Sequence, residues 1–268
     1  MLNNDAYQNN CLRVLGTARL GNISKRNSYK LLCRLSSVDI NLLDTAPSYP
    51  RSEVRIGNFL AKDPLGIKVL TKFGRGNQTL SSEMMTQSLD LSLHRLKVNQ
   101  VFGLSIHNRE ISEIPEEIFV NANNLKAEGK ISKFGWCGEW DKLPLGKLRN
   151  FDYVMLPINP FLANFTGLIE KIDVPIIAIN PFANFFWNYR KTNGLLNLYN
   201  ERVRKIFNPE PIYLRSNHIL TEPPKLGDLL EFACGLKQVH GICFGSTKFT
   251  HVAHVTRCLE ELGFKLDL

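Results

Sequence analysis

Eight short apolar runs, separated by longer stretches with helical periodicity, constrain this chain more than any other feature. They fall at residues 12–16, 40–43, 67–71, 101–106, 131–136, 152–156, 174–179 and 239–243. Runs of this length and composition read as strands. Eight strands with helices between them favour closure into a parallel (β/α)8 barrel of the TIM type over an open sheet. The 268 residues suit one large α/β domain spanning 1–268, and 44% apolar composition is enough to fill its core.

The intervening stretches support this order. Met85, Leu89, Leu93 and Leu96 recur at three- and four-residue steps, so 82–95 predicts a helix with one apolar stripe laid against the sheet. A second helix, 116–128, ends at Gly129, where a left-handed cap is easy. The last begins near Thr250 as N-cap, turns Val252, Val255 and Leu259 inward, and stops at Gly263. Between the seventh and eighth runs lie about 60 residues. An unstructured connection of that length is uncommon, so two helices are expected, near 185–206 and 224–236. Phe182, Phe185, Phe186, Trp187 and Tyr189 in this interval either wall a pocket for an apolar or planar substrate or pack the helix itself.

Composition narrows the function classes. No apolar run is long enough to cross a membrane, and the first residues carry neither a positive leader nor an apolar stretch, so a soluble cytoplasmic protein is expected. The six cysteines form no C-x-x-C pair and read as reduced core residues, with Cys137 set apart by its place near a strand end. The net charge of +8 is spread singly along the chain without a nucleic-acid-binding signature. A phosphorylated small molecule or cofactor accounts for the basicity. The partners expected are a small substrate, no nucleic acid and no membrane, with the chain acting as a monomer or weak homo-oligomer.

Four polar residues mark the chemistry. Asp44 follows INLL, Tyr49 lies five residues later, Lys72 closes IKVLTK, and His107 closes VFGLSIH. At the carboxyl ends of neighbouring barrel strands they converge. A nearby ammonium favours phenolate, which would make Tyr49 a better general acid toward a carbonyl oxygen gaining charge. Asp44 would neutralise Lys72, and His107 would hydrogen-bond the same oxygen. Such a set suits carbonyl reduction or its reverse but supplies no hydride. Each residue also has a plainer reading: a turn former, a rim aromatic, a solvated strand end and a satisfied polar group. Lys72 as a Schiff-base lysine of a lyase is a further alternative. The stretch CFGSTKFTHVAH places Gly245, Ser246, Thr247 and Lys248 ahead of the last helix, an arrangement suited to phosphate. His251, His254 and His240 show no convincing metal spacing, so no metal is expected; His251 is a candidate for a cofactor phosphate.

The segments GTARLG, NLLDTAPSYPRSEVRIG, VLTKFG, SLDLSLHRLKVNQVFGLSIH, EGKISKFG and ICFGSTKFTHVAHV resemble, in order, the landmarks of the aldo-keto reductase family over nearly the whole chain. The resemblance implies an NADPH- or NADH-dependent oxidoreductase that delivers hydride to aldehydes and ketones, with NADPH slightly favoured. It makes Tyr49 the proton donor, supported by Asp44, Lys72 and His107. It implies cofactor contacts from Gly16, Thr17, Ala18, Asp44, Cys137, Met155, Ile179, Asn180, Phe182, Gly245, Ser246, Thr247, Lys248 and His251. Several of these depart from the family pattern. Cys137 and Gly138 stand where a Ser-Asn pair grips the carboxamide, Met155 where glutamine is usual, and Ile179 where a tyrosine stacks. Gly245 and His251 stand where many NADPH-using members carry lysine and arginine. Such departures leave room for a noncatalytic barrel that binds nicotinamide or a partner.

Overall fold

The computed structural model describes residues 11–62, 66–76, 79–160, 162, 165–182 and 225–264. Eight strands, β1 (Leu12–Gly16), β2 (Leu42–Asp44), β3 (Lys68–Phe73), β4 (Val101–His107), β5 (Ile131–Cys137), β6 (Tyr153–Pro157), β7 (Ile176–Ile179) and β8 (Val239–Gly245), close into a barrel in chain order. All pair in parallel, and β8 returns to β1 through Gly16 opposite Gly245. The helices that cover it are α1 (Lys25–Leu32), α2 (Ser52–Leu60), α3 (Ser82–Leu96), α4 (Glu117–Ala127), the single-turn α5 (Thr166–Ile169), α6 (Leu226–Cys234) and α7 (Phe249–Glu261). Among the described residues no helix is long and apolar enough to cross a membrane.

The helix signals act locally as expected, with one exception. Ser24 and Ser81 accept hydrogen bonds from the amides of Asn27 and Met84, satisfying free N–H groups at the starts of α1 and α3. Gly129 and Gly263 follow α4 and α7 with φ of +72° and +83°, a conformation glycine adopts without a steric penalty. The exception is the start of α7: Thr250 lies inside its first turn, and Lys248 is the N-cap. Ser246 Oγ accepts from the Lys248 amide and donates to its carbonyl, folding a side-chain turn that starts the helix earlier. The helix expected at 224–236 is α6, whereas 185–206 lies outside the described residues.

The core has two parts. Leu15, Leu43, Leu104, Ile106, Phe134 and Trp136 belong to the large cluster that includes the helices' buried faces. Val14, Leu42, Leu70, Tyr153, Met155, Ile177, Cys137 and Cys243 form a separate cluster, the filling of the barrel. Strand side chains alternate, so the residues two steps beyond Leu42 and Leu70 on the same face are Asp44 and Lys72. The apolar filling therefore stops where the polar set begins. Below it Tyr153 crosses the interior, its hydroxyl 2.8 Å from Ser105 Oγ. A Cβ at Gly103 would stand 2.5 Å from that hydroxyl, and one at Gly135 would stand 2.5 Å from the ring. Those two glycines are the space the tyrosine occupies.

Candidate active site

Strands β2, β3 and β4 run one to two residues further than their apolar runs, so Asp44 and His107 are the last residues of their strands and Lys72 the penultimate one of β3. Lys72 is buried, with its side chain 1% exposed. Its Nζ donates to Asp44 Oδ1 and, at 2.9 Å, to the Thr45 carbonyl. Tyr49 is held on the turn after β2, where its amide donates to Ala46 O at 3.0 Å and its carbonyl accepts from Ser52 N at 3.1 Å. The base of that turn is fixed by the buried hydroxyls of Thr17, Thr45 and Ser52. Thr17 Oγ1 donates to Asp44 O at 2.7 Å, and Ser52 Oγ lies 2.8 Å from Thr17 Oγ1 and 3.0 Å from Thr45 Oγ1. The Lys72 ammonium stands 5.1 Å from the Tyr49 ring centre. The His107 ring meets Tyr49 edge to face, with centres 6.4 Å apart.

Burial and charge set the protonation of these groups. Burial pushes the Tyr49 phenol up and outweighs the lowering by Lys72, leaving it at about 12. The expected downward pull of the lysine is thus present, but the net direction is the opposite, because the phenol loses more hydration than one ammonium restores. For Lys72 burial works against the charged form, yet the charge of Asp44 and its hydrogen bond work the other way and the ammonium is held above its ordinary range. Asp44 is raised by burial against the pull of Lys72. The opposed pulls leave an ammonium clamped to its one carboxylate partner. His107 is lowered to about 3 by burial and by the positive charges of Lys72 and Arg75, so its imidazole is neutral across the physiological range. Burial also pushes Cys137 up to about 12 and raises Cys243, which keeps both as thiols rather than nucleophilic thiolates.

A cavity of about 500 Å³ opens at this end of the barrel, within the range of small-molecule sites. Gly16, Ala18, Asp44, Tyr49, His107, Cys137, Gly138, Ile179, Asn180, Phe182, Gly245, Ser246 and Thr247 are all on its wall. Five other residues named from sequence are not on that wall. Met155 is fully buried in the barrel filling beneath the cavity. Thr17 turns into the hydroxyl network. Lys248 and His251 are exposed at the start of α7 and are not on the wall. Lys72 reaches a second cavity, of about 440 Å³, shared with His107, Arg75 and Met84 on the α3 side. Of the five aromatics singled out between β7 and β8, Phe182 lines the main cavity; Phe185, Phe186, Trp187 and Tyr189 lie outside the described residues.

Sequence reasoning missed Arg19, Arg75, Asn108, Glu139 and Cys243, which also line the cavity. Arg75, Asn108 and Glu139 each sit within three residues of a strand end. Asn108 also has φ of +57°, a conformation in which asparagine is enriched. Position just beyond a strand end was the available signal.

The fold and the site define a parallel (β/α)8 barrel with ionisable groups gathered at the carboxyl ends of its strands. The family model described as the aldo/keto reductase family matches residues 14–222, and the chain belongs to that family, which gives it oxidoreductase character at family level. Solved structures share the fold at low identity. A Pseudomonas aeruginosa protein assigned as an aldo-keto reductase is 21% identical with a TM-score of 0.71, over 95% of this chain and 90% of that one. The holo form of an aldo-keto reductase from Bacillus halodurans is 19% identical with a TM-score of 0.71, over 93% and 86%. No curated protein matches the chain.

Proposed function

We propose that this chain is a nicotinamide-dependent carbonyl reductase in which Tyr49 is the proton donor. The observation that carries the reading is the shared cavity wall of Tyr49 and His107, with the Lys72–Asp44 pair buried directly behind the phenol. The β8–β1 side of the cavity fits a phosphorylated dinucleotide. Gly16 and Gly245 are paired strand ends without side chains, and Ser246 and Thr247 face the cavity ahead of α7. NADPH, or NADH, would be held by Gly16, Ala18, Asn180, Phe182, Gly245, Ser246 and Thr247, all on the cavity wall. When bound it supplies hydride to the carbonyl carbon.

The chain's own residues manage the proton. The neutral His107 ring carries one N–H, which orients the carbonyl oxygen. As negative charge builds on that oxygen, Tyr49 Oη gives up its proton to it. An alkoxide is a far stronger base than a phenolate, so transfer is downhill even from a phenol at about 12. Lys72 stabilises the phenolate left behind, and Asp44 keeps Lys72 charged and in place. The Schiff-base alternative needs a neutral amine, whereas Lys72 is held as an ammonium by its carboxylate partner.

A second reading, a barrel that binds nicotinamide without turning over, draws on Cys137 and Gly138, a thiol and a bare backbone on the cavity wall where the family resemblance implies a Ser-Asn pair. The two separate by experiment. Under the reductase reading, an aldehyde panel oxidises NADPH, and Tyr49→Phe lowers kcat/KM by about 10²–10⁴-fold with the fold retained by circular dichroism. Turnover unaffected by Tyr49→Phe, or tight NADPH binding with no turnover across the panel, overturns it.

A further inference from the structure

The charged groups of the cavity divide by strand. Arg19 follows β1, on the side of the glycine-walled β8–β1 region, whereas Arg75 follows β3, on the side of Tyr49 and His107. Arg75 is exposed and lines both cavities that meet at the catalytic cluster. Its charge is felt at His107, where it opposes protonation. One nitrogen, Nη1, donates to Ser48 Oγ at 3.2 Å, so the guanidinium is tethered to the turn that presents Tyr49. Four other arginines, Arg13, Arg95, Arg109 and Arg149, are engaged by carboxylates. Among the described residues, no ion pair includes Arg75. Among the described residues, the carboxylates on the cavity wall are Asp44, which is committed to Lys72, and Glu139, which follows β5 beyond the His107 strand. A guanidinium with donors in a planar fork, free of a carboxylate and beside the proton donor, is suited to an incoming oxyanion.

We propose that Arg75 is a specificity residue that binds an anionic group, carboxylate or phosphate, carried by the carbonyl substrate. The inference rests on the reductase reading for its chemistry, but the anion-binding role stands on the geometry of Arg75 alone. Glu139 opposes an anion on its own side of the mouth, which leaves the β3 side for the charged end. The anionic group makes and breaks no bonds; it sets where the carbonyl falls relative to Tyr49 and His107.

Two arms test this on the full chain. In the binding arm, glutarate and methyl phosphate are titrated calorimetrically into the native protein and into Arg75→Gln, with Arg75→Lys as the charge-retaining control. At least one anion binds the native protein, weakens about tenfold or more in Arg75→Gln, and recovers in part in Arg75→Lys. NADPH affinity, read by fluorescence, stays within about twofold. Failure of both anions to bind, binding indifferent to Arg75→Gln, or a parallel loss of NADPH affinity overturns the proposal; the last would place Arg75 on the cofactor.

In the kinetic arm, succinic semialdehyde and glyceraldehyde 3-phosphate are compared with butanal. A selectivity of about tenfold or more for one anionic substrate, carried mainly in KM and collapsing toward one in Arg75→Gln, supports the proposal and identifies which oxyanion is read. Reduction of all three aldehydes without preference overturns it and leaves the reductase reading intact. Arg75-dependent anion binding with no aldehyde reduced supports the anion site and overturns the reductase reading instead.

Discussion

Replacing Asp44 by Asn tests the cluster at its most buried point. The Lys72 side chain is 1% exposed and the Asp44 side chain 7%, and among the described residues the one other acceptor on the ammonium is the Thr45 carbonyl at 2.9 Å. Removing one member of a buried pair leaves an uncompensated charge, at about 3–5 kcal/mol. The Thr45 carbonyl keeps the expected loss near the lower end, about 3 kcal/mol. Lys72→Met in the Asp44→Asn background removes the stranded ammonium at similar volume, and about 2 kcal/mol of that loss should return.

The pH dependence has a definite sign. In the native protein Lys72 is raised, so its contribution is complete below the ordinary lysine range and is lost only as pH rises through the folded value. Without Asp44, burial dominates and the folded value drops below ~10.4. Stability of Asp44→Asn should therefore increase between neutral pH and about 10. Equilibrium urea unfolding of the four proteins of the cycle, at neutral and alkaline pH, reads all of this. A single variant within about 1 kcal/mol of native, combined with a double variant no more stable than the single, would refute the buried-pair argument.

His107 gives a second pH signature. Its folded value of about 3 lies below the ordinary 6.5, so stability is fully present above 6.5 and falls as the unfolded chain takes up a proton on acidification toward 3. The slope is at most about 1.4 kcal/mol per pH unit, and His107→Gln should reduce it in acid-range urea titrations. An unchanged slope would show that His107 is not held neutral. In the barrel filling, Gly135→Ala drives a methyl into the Tyr153 ring and should destabilise by about 1–3 kcal/mol. Tyr153→Leu in the same chain should relieve part of that loss, and strict additivity of the two would refute the contact.

Which parts of this molecule were legible in its sequence follows from where each signal is stored. The barrel was, because strand existence rests on local runs such as VFGLSIH and ICFG, and eight of them leave few ways to cover both faces. Strand ends were placed one or two residues short at β2, β3, β4, β5, β6 and β8, because the backbone pairing continues past the run. A polar residue still pairs when its side chain emerges at the mouth. That error was informative, since Asp44, Lys72 and His107 occupy those extra positions. The Tyr49 turn was legible only as spacing, because its geometry depends on Thr17, Thr45 and Ser52 meeting across three segments. Gly103 and Gly135 read as weak strand residues until Tyr153, contributed by another strand, explains them. The direction in which Tyr49 is shifted was beyond any sequence argument. The partner charge can be named from residue types, but its competition with desolvation is decided by how much water the fold removes, and here the fold removes enough to reverse the sign. The proposed acid is thus a reluctant one, with its proton held until a developing alkoxide supplies the demand. That timing is what a site needs if it is to protonate the product without discharging to water beforehand.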